Sequence, residues 1–546
     1  PILTFPTIAA DHPDNPFNSP VTYLGRINPT LDPAQSPEAP RKNETFRLEG
    51  HLNGEFDSGW SWNTSLAYSE NDYTITQPEM SIERLNVGLA GNGGPSGAEY
   101  LNPFDPLDNS AELLDWLKTE FGSVTSTSML AWDGVVSGEW FELPAGTVNV
   151  ALGGQVRSES YEVNPNAAST IAPDPVTGIN SRADFIFLGG VSDVDESRSA
   201  SALFAEMEVP LSDKLTMNAA LRYENLDTDS SVDPKIAFLY EVSSELLVRF
   251  SASTSFREPS LSQLYADTVS TLNVQDYEVD SSGNLVLDGS GNPIPKGGSL
   301  FIRRATTGST NLSPEEATNY NVGVVWSGES IEARLDYWRV DYEDVISIED
   351  AQGKLLADPA GPDIERLAPN DPNSELGGIS TNYFNAETIN ASGIDFESQY
   401  SREMLSGNLK LGLGIAHYLE YEIPINGVKT DVSGEFNRGN FSRSMPKTKG
   451  NVSVHWQNEN HSLYARMNYT SSYDNGSDSI DSFTPVEMQY QYAFDLNDAQ
   501  ASVSLGIINL FDDEPPFVVD GANFSYDPKH HDPRGRVIYL KGSYTF

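Results

Sequence analysis

Along most of this chain, segments in which apolar and polar residues alternate one by one are joined by connections that themselves alternate, short and then long. This double alternation restricts the fold more than any other feature. Residue-by-residue alternation marks strands with two unlike faces. Short connections at 57–59, 142–146, 212–214, 242–245, 327–330, 402–407, 457–460 and 497–500 interleave with long ones at 72–125, 161–196, 257–316, 346–387, 423–447, 474–484 and 512–534; the exception is a short one near 228–232. All short turns then share one end of a sheet and all long loops the other, as in outer-membrane barrels. A propeller would instead repeat about every 40 residues. The expected fold class is all-β, a transmembrane antiparallel β-barrel with about 17 strands visible.

Individual strands carry the pattern clearly. Over 46–56, Phe46, Leu48, Gly50, Leu52, Gly54 and Phe56 share one face, and Arg47, Glu49, His51, Asn53 and Glu55 the other. After a turn at 57–59 the pattern returns with Trp60, Trp62, Leu66 and Tyr68, which reads as a hairpin of long strands. The strand starting at Ile331 loses its alternation near Trp338, at a bulge or where the strand leaves the membrane. Residues 1–45 are rich in Pro, Asn and Asp and read as an extracellular loop segment, with the barrel filling 46–546. Over 111–121, Leu113, Leu114, Leu117 and Phe121 recur at helical spacing behind Asn109 and Ser110, so a short helix is expected inside the first long loop. The last stretch, 535–546, puts Ile538, Leu540, Gly542, Tyr544 and Phe546 on one face against Lys541, Ser543 and Thr545.

Tryptophan placement is independent of this reading. Trp60, Trp62, Trp140, Trp326 and Trp456, five of the eight, fall beside short turns, and Phe546 belongs at the same end. Indoles at one rim are what an interfacial membrane girdle requires. A mean hydropathy of −0.39 does not oppose a barrel, because half of every strand is polar. No run of apolar residues is long enough for a transmembrane helix, and no basic stretch ahead of an apolar core marks a signal peptide. The formal charge of −46 argues against nucleic acid as a partner. The absence of cysteine removes disulfides and thiolate metal sites, and no cofactor is expected. The first and last visible strands run in the same direction, so the count is odd. A closed single-chain bacterial barrel has an even count, so an odd number of further strands is expected.

Several motifs resemble those of TonB-dependent outer-membrane receptors. They are Phe256-Arg257-Glu258-Pro259-Ser260-Leu261-Ser262-Gln263-Leu264-Tyr265, the run Asn311-Leu312-Ser313-Pro314-Glu315 entering a strand, and Gly393-Ile394-Asp395-Phe396-Glu397. Asn509-Leu510-Phe511-Asp512-Asp513-Glu514-Pro515-Pro516 follows, with Tyr526-Asp527-Pro528, Gly535-Arg536 and the final Phe546, in the family's order; Asn15-Pro16-Phe17 fits upstream. The resemblance implies a 22-stranded barrel in the bacterial outer membrane, with an N-terminal plug and a TonB box that this sequence does not show. It further implies uptake of scarce cargo, a ferric siderophore first, or cobalamin or a glycan, energised by the TonB-ExbB-ExbD complex through the plug. Outer-membrane lipid, and the barrel-assembly machinery acting on the last strand, are the other implied partners. The alternative function is a passive porin or a surface-adhesion barrel.

No catalytic constellation stands out, and the chain is not expected to be an enzyme. His530 and His531, flanked by Asp527 and Asp532, are metal candidates if they do not simply lie in a solvated loop. Arg257, Arg303 and Arg304 are ligand-contact candidates for an anionic cargo unless they pair with loop carboxylates such as Glu258. Lumen-side charges (Arg47, Glu49, Arg157, Glu159, Arg222, Glu224, Arg249 and Arg466) are expected to line water or a plug.

Overall fold

The computed structural model describes residues 7–22, 38–173, 180–185, 189–226, 229–368, 371–386, 388–425, 428–437, 444–496, 499–518 and 525–545. Seventeen long strands form the barrel wall: β1 (Arg41–Glu55), β2 (Ser61–Met80), β3 (Lys118–Leu143), β4 (Gly146–Pro165), β5 (Val194–Ser212), β6 (Leu215–Asn225), β7 (Ser230–Ser243) and β8 (Leu246–Arg257). Next come β9 (Glu315–Ser327), β10 (Ile331–Glu343), β11 (Ile389–Met404), β12 (Gly407–Ile425) and β13 (Thr448–Gln457), then β14 (His461–Thr470), β15 (Val486–Leu496), β16 (Ala499–Ile508) and β17 (Val537–Thr545). Each pairs antiparallel with the next, and the alternation sorts side chains between two surroundings. On β6, Leu221 and Tyr223 stand exposed on the outer wall while Glu224, next to Tyr223, is 2% exposed inside.

Several strands are longer than the alternation alone indicates. β2 continues to Met80 and β3 begins at Lys118, with Tyr73↔Thr125 and Gln77↔Phe121 in register. A 20-residue strand spans roughly 66 Å, against the 9–11 residues needed to cross a bilayer. Beyond the lipid both faces of this hairpin meet water. No apolar face is then required, so the alternation fades where the strands do not.

The order of strands returns on itself, with β17 beside β1, so the barrel is closed rather than ending in two free edges. As first and last of an odd set, these two run in the same direction, whereas the other wall neighbours pair antiparallel. Its first strand is also bare: every residue of β1 except Gly54 is exposed. The expected bulge near Trp338 is not in its own strand, since β10 pairs without a break with both neighbours. The irregularity lies one strand away, between Ser392 and Gly393 of β11. Trp338 covers Gly393, where an added Cβ would come within 2.5 Å of the indole.

Indoles also cover glycines at the short-turn rim. A Cβ on Gly54 would meet Trp62 at 2.8 Å, on Gly138 Trp60 at 2.7 Å, on Gly328 Trp326 at 2.7 Å and on Gly407 Trp456 at 2.9 Å. Aromatic side chains lying over glycines relieve curved sheets of the cavities that glycine leaves. Trp140 is 60% exposed and stands edge-on to Phe141. Phe546 lies outside the described residues.

At the opposite rim the long loops fold. The first holds α1 (Ile82–Leu89), capped by Ser81, and α2 (Ala111–Trp116), capped by Ser110, around Leu85, Leu101, Leu113 and Leu117. The helix expected over 111–121 stops early, and Phe121 already belongs to β3. No helix among the described residues is long and apolar enough to cross a membrane.

Candidate functional site

The long-loop rim carries two folded clusters that follow one another in sequence. The first is made by the loops 258–314 and 344–388. Strands Thr268–Val274 and Leu300–Thr307 form a hairpin, and Leu300–Thr307 pairs in parallel with Leu376–Asn385 of the other loop. Val274, Ile302, Leu355, Leu376 and Ile379 supply its buried core, with helix α3 (Ala351–Ala357) packed on it. Two arginines complete it. Arg366 reaches both oxygens of Asp276 at 2.7 and 3.0 Å, a fully buried fork-to-fork pair joining the two loops. Arg303, 2% exposed, donates to the carbonyls of Ala183 and Phe185 at 3.0 and 2.5 Å and so brings in a third loop.

The second cluster gathers the loops 426–447, 471–485 and 509–536. Phe436, Tyr473, Ile480 and Val518 pack together. The Tyr473 hydroxyl donates to Asp527 at 2.7 Å and stands 3.3 Å from His531 Nε2. Since that hydroxyl proton is committed to Asp527, Nε2 of His531 is the donor, which leaves its Nδ1 as a buried acceptor without a partner. His530 turns the other way, to the carbonyl of Ser444 and to Lys449 Nζ, both at 2.9 Å. Burial holds both imidazoles below the ordinary range, so they are neutral at pH 7. Burial pushes the Asp527 carboxyl up, but hydrogen bonds from Ser444, Tyr473 and the Lys529 amide outweigh it and leave it low. For Tyr473 burial and the adjacent carboxylate act together and keep the phenol protonated.

The histidines are therefore not in a solvated loop: His531 is 4% exposed. Among the described residues no group of three or more His, Cys, Asp or Glu converges to hold a metal ion. The three arginines part company. Arg257 pairs with Glu315, which is itself buried and also meets Tyr342 and the Ile346 amide. Arg303 is sealed inside the first cluster. Arg304, opposite Ser270 and half-buried, makes no ion pair among the described residues, and its Nε has no acceptor. Glu258 meets Arg157 and Arg198 at 3.3 and 3.4 Å, beside Glu159 and Glu224.

The lumen wall below is laced with such pairs: Arg47 with Glu49, Arg222 with Glu224, and Arg249 with Asp336. Arg466 is unlike them, with a buried Nε that has no partner. One signal in the sequence was open to a repeat search: Asp280-Ser281-Ser282-Gly283-Asn284 and Asp288-Gly289-Ser290-Gly291-Asn292, eight residues apart. Each folds as one turn, its aspartate accepting two backbone amides and its second-last residue at φ 88° or 86°. By contrast, nothing local marks Tyr473 and Asp527 as partners.

A family model described as TonB dependent receptor-like, beta-barrel, matches residues 4–510. Among solved structures, the chain is similar to a mutant ferric enterobactin receptor, PfeA, of Pseudomonas aeruginosa in complex with enterobactin, with a TM-score of 0.61 at 16% identity over 92% of this chain and 62% of that one. The siderophore receptor PirA of Acinetobacter baumannii gives 0.57 at 13% identity, covering 92% and 63%. The FpvAI–pyocin S2 complex gives 0.52 at 14% identity, covering 92% and 57%. The chain thus spans less than two thirds of the length of these structures. No curated protein matches it.

Proposed function

We infer the function from one premise: this chain belongs to the family of TonB-dependent receptors, whose barrel model covers residues 4–510. We propose that it acts in the bacterial outer membrane as a receptor and active transporter of scarce small-molecule cargo, energised through TonB. What carries this reading is a wall with an apolar outside and a charged inside, bearing folded loop clusters on one rim only. A ferric siderophore is the cargo class we favour, since PfeA and PirA are named as siderophore receptors at the same fold; cobalamin and a glycan are the alternatives. Arg304, the unpaired arginine among the three candidates, is the one we assign to an anionic cargo.

Residues 1–40 then belong to the extracellular side, and the barrel begins with β1 at Arg41 rather than at 46. Its plug, which would receive the TonB-ExbB-ExbD complex, and any strands bringing the wall to 22, would meet the wall at the seam between β17 and β1. The rim indoles Trp60, Trp62, Trp140, Trp326 and Trp456 form the periplasmic girdle, and the last strand is the one offered to the barrel-assembly machinery. The test is uptake of radiolabelled ferric siderophore by cells carrying the full receptor gene. Uptake abolished by a proton-motive-force uncoupler and by deletion of TonB supports energised transport. Uptake that survives both overturns it in favour of a passive porin. Induction by iron starvation separates siderophore from glycan, which a polysaccharide would induce instead.

A further inference from the structure

Carboxylates that face the lumen along β10 and β11 come with arginines. Asp336 has Arg249 at 2.6 Å and Glu397 has Arg334. Asp395 sits directly opposite Asp336 and two residues before Glu397, yet among the described residues it makes no ion pair. Two strands round the wall, the Lys449 ammonium meets a neutral ring nitrogen, that of His530, and no carboxylate within ion-pair distance. Register places Asp395 opposite Ala416, and Ala416 opposite Lys449. The carboxylate and the ammonium thus share one face with a single methyl group between them, their Cα atoms about 10 Å apart.

Asp395, Ala416 and Lys449 line one cavity of about 360 Å³, mostly apolar, which His530 of the last loop also lines. Trp338 and Tyr418 form its aromatic side, edge to face at 5.7 Å, and Met445 lies beside them. Asp395 is met by the Trp338 indole and Lys449 by the His530 ring, both neutral, and two opposite charges without counter-charges in an apolar cavity are costly. A singly charged guest would satisfy one and leave the other.

We propose that this cavity binds a small zwitterion with an apolar side group, the class of a free α-amino acid. Its ammonium lies on Asp395, its carboxylate on Lys449, and its side group against Trp338, Tyr418 and Met445. The site needs neither TonB nor transport, so its failure leaves energised uptake untouched, and the reverse.

Calorimetry on the purified full receptor in detergent micelles tests it, with L-phenylalanine, phenethylamine (ammonium only) and hydrocinnamate (carboxylate only) as probes. Phenylalanine should bind at least about ten-fold more tightly than either. Asp395→Asn should weaken phenylalanine and phenethylamine by about ten-fold or more and spare hydrocinnamate; Lys449→Met should do the converse. Ala416→Leu, which fills the cavity and leaves both charges, should abolish binding, with barrel folding followed by heat-modifiable migration. Exchanging the charges, Asp395→Lys with Lys449→Asp, should restore binding with the guest reversed. No binding by any probe overturns the proposal. So do equal affinities for all three, or single variants that lower the melting temperature of the ligand-free protein without changing affinity, since the charges then serve the fold.

Discussion

The two loop clusters share a rim and are locked by opposite chemistry. In the first, Arg366 and Arg303 hold the loops together, and a guanidinium stays charged at every physiological pH. In the second the bolt is a neutral imidazole: the His531 ring reaches the Asp527 carboxylate only through the Tyr473 hydroxyl, and its buried Nδ1 is left open. One lock is therefore blind to protons and the other is not. Both clusters are cored by similar side chains, Ile302, Leu355 and Ile379 against Phe436, Tyr473 and Val518, so the difference lies in the polar tie rather than in packing.

Breaking the first lock should give the largest effect. Arg366→Met leaves Asp276 charged and buried, at a cost of about 3–5 kcal/mol. Hydrogen exchange should show 268–307 and 376–385 losing protection while 473–480 and 525–531 keep theirs. Loss in both clusters would mean that the rim is one cooperative unit. Tyr473→Phe attacks the second lock by removing the hydroxyl that satisfies Asp527 and His531 at once, for about 1–3 kcal/mol. Proteolysis should then cut within 509–536 first.

Acidification sharpens the contrast without a mutation. Burial lowers His530 and His531 below the ordinary value of 6.5, so the opened cluster binds more protons than the closed one. Their contribution is whole above about pH 6.5 and drains as pH falls below it. The depressed Asp527 carboxyl adds a loss only below the ordinary carboxylate range. Between pH 7.5 and 5.5, protection relative to the intrinsic exchange rate should therefore fall at 473–480 and 525–531 and stay level across the arginine-tied sheet. An equal fall in both would refute the histidine tie. The smallest effect belongs to a control on the far rim. Leu405 and Ser406 hold φ 53° and 54° in the two-residue turn between β11 and β12. Replacing them with Asn-Gly, which suits that turn, should stabilise the barrel by about 1 kcal/mol and leave both clusters unchanged.

What was legible in the sequence follows from where physics acts locally. Leu215, Met217, Ala219, Leu221 and Tyr223 alternate with polar neighbours because each strand must suit two surroundings by itself, so strands, turns and the rim indoles could be read residue by residue. The same rule went silent over 72–80 and 118–125, where both faces of the hairpin are wet. Arg257, Arg303 and Arg304 look alike in sequence. Only the fold brings Glu315 to the first and two carbonyls to the second, 58 and about 120 positions away. Asp395 and Lys449 were invisible for a related reason: an unpaired charge is defined by what does not come near it.

The seam between β17 and β1 can be viewed as a matter of parity. A ring of neighbours that each wish to oppose the next is satisfied only when its number is even; with seventeen, one contact must disobey, much as one bond does in an odd ring of opposed spins. Tight hairpins and folded loops fix every other contact along the chain, so the fault cannot wander and stays at the bare strand β1. The two strands that meet there touch least of all the wall's neighbours, so that line is where the wall should part first under load. Any odd number of strands entering there would remove the fault altogether, and an even number would only move it along.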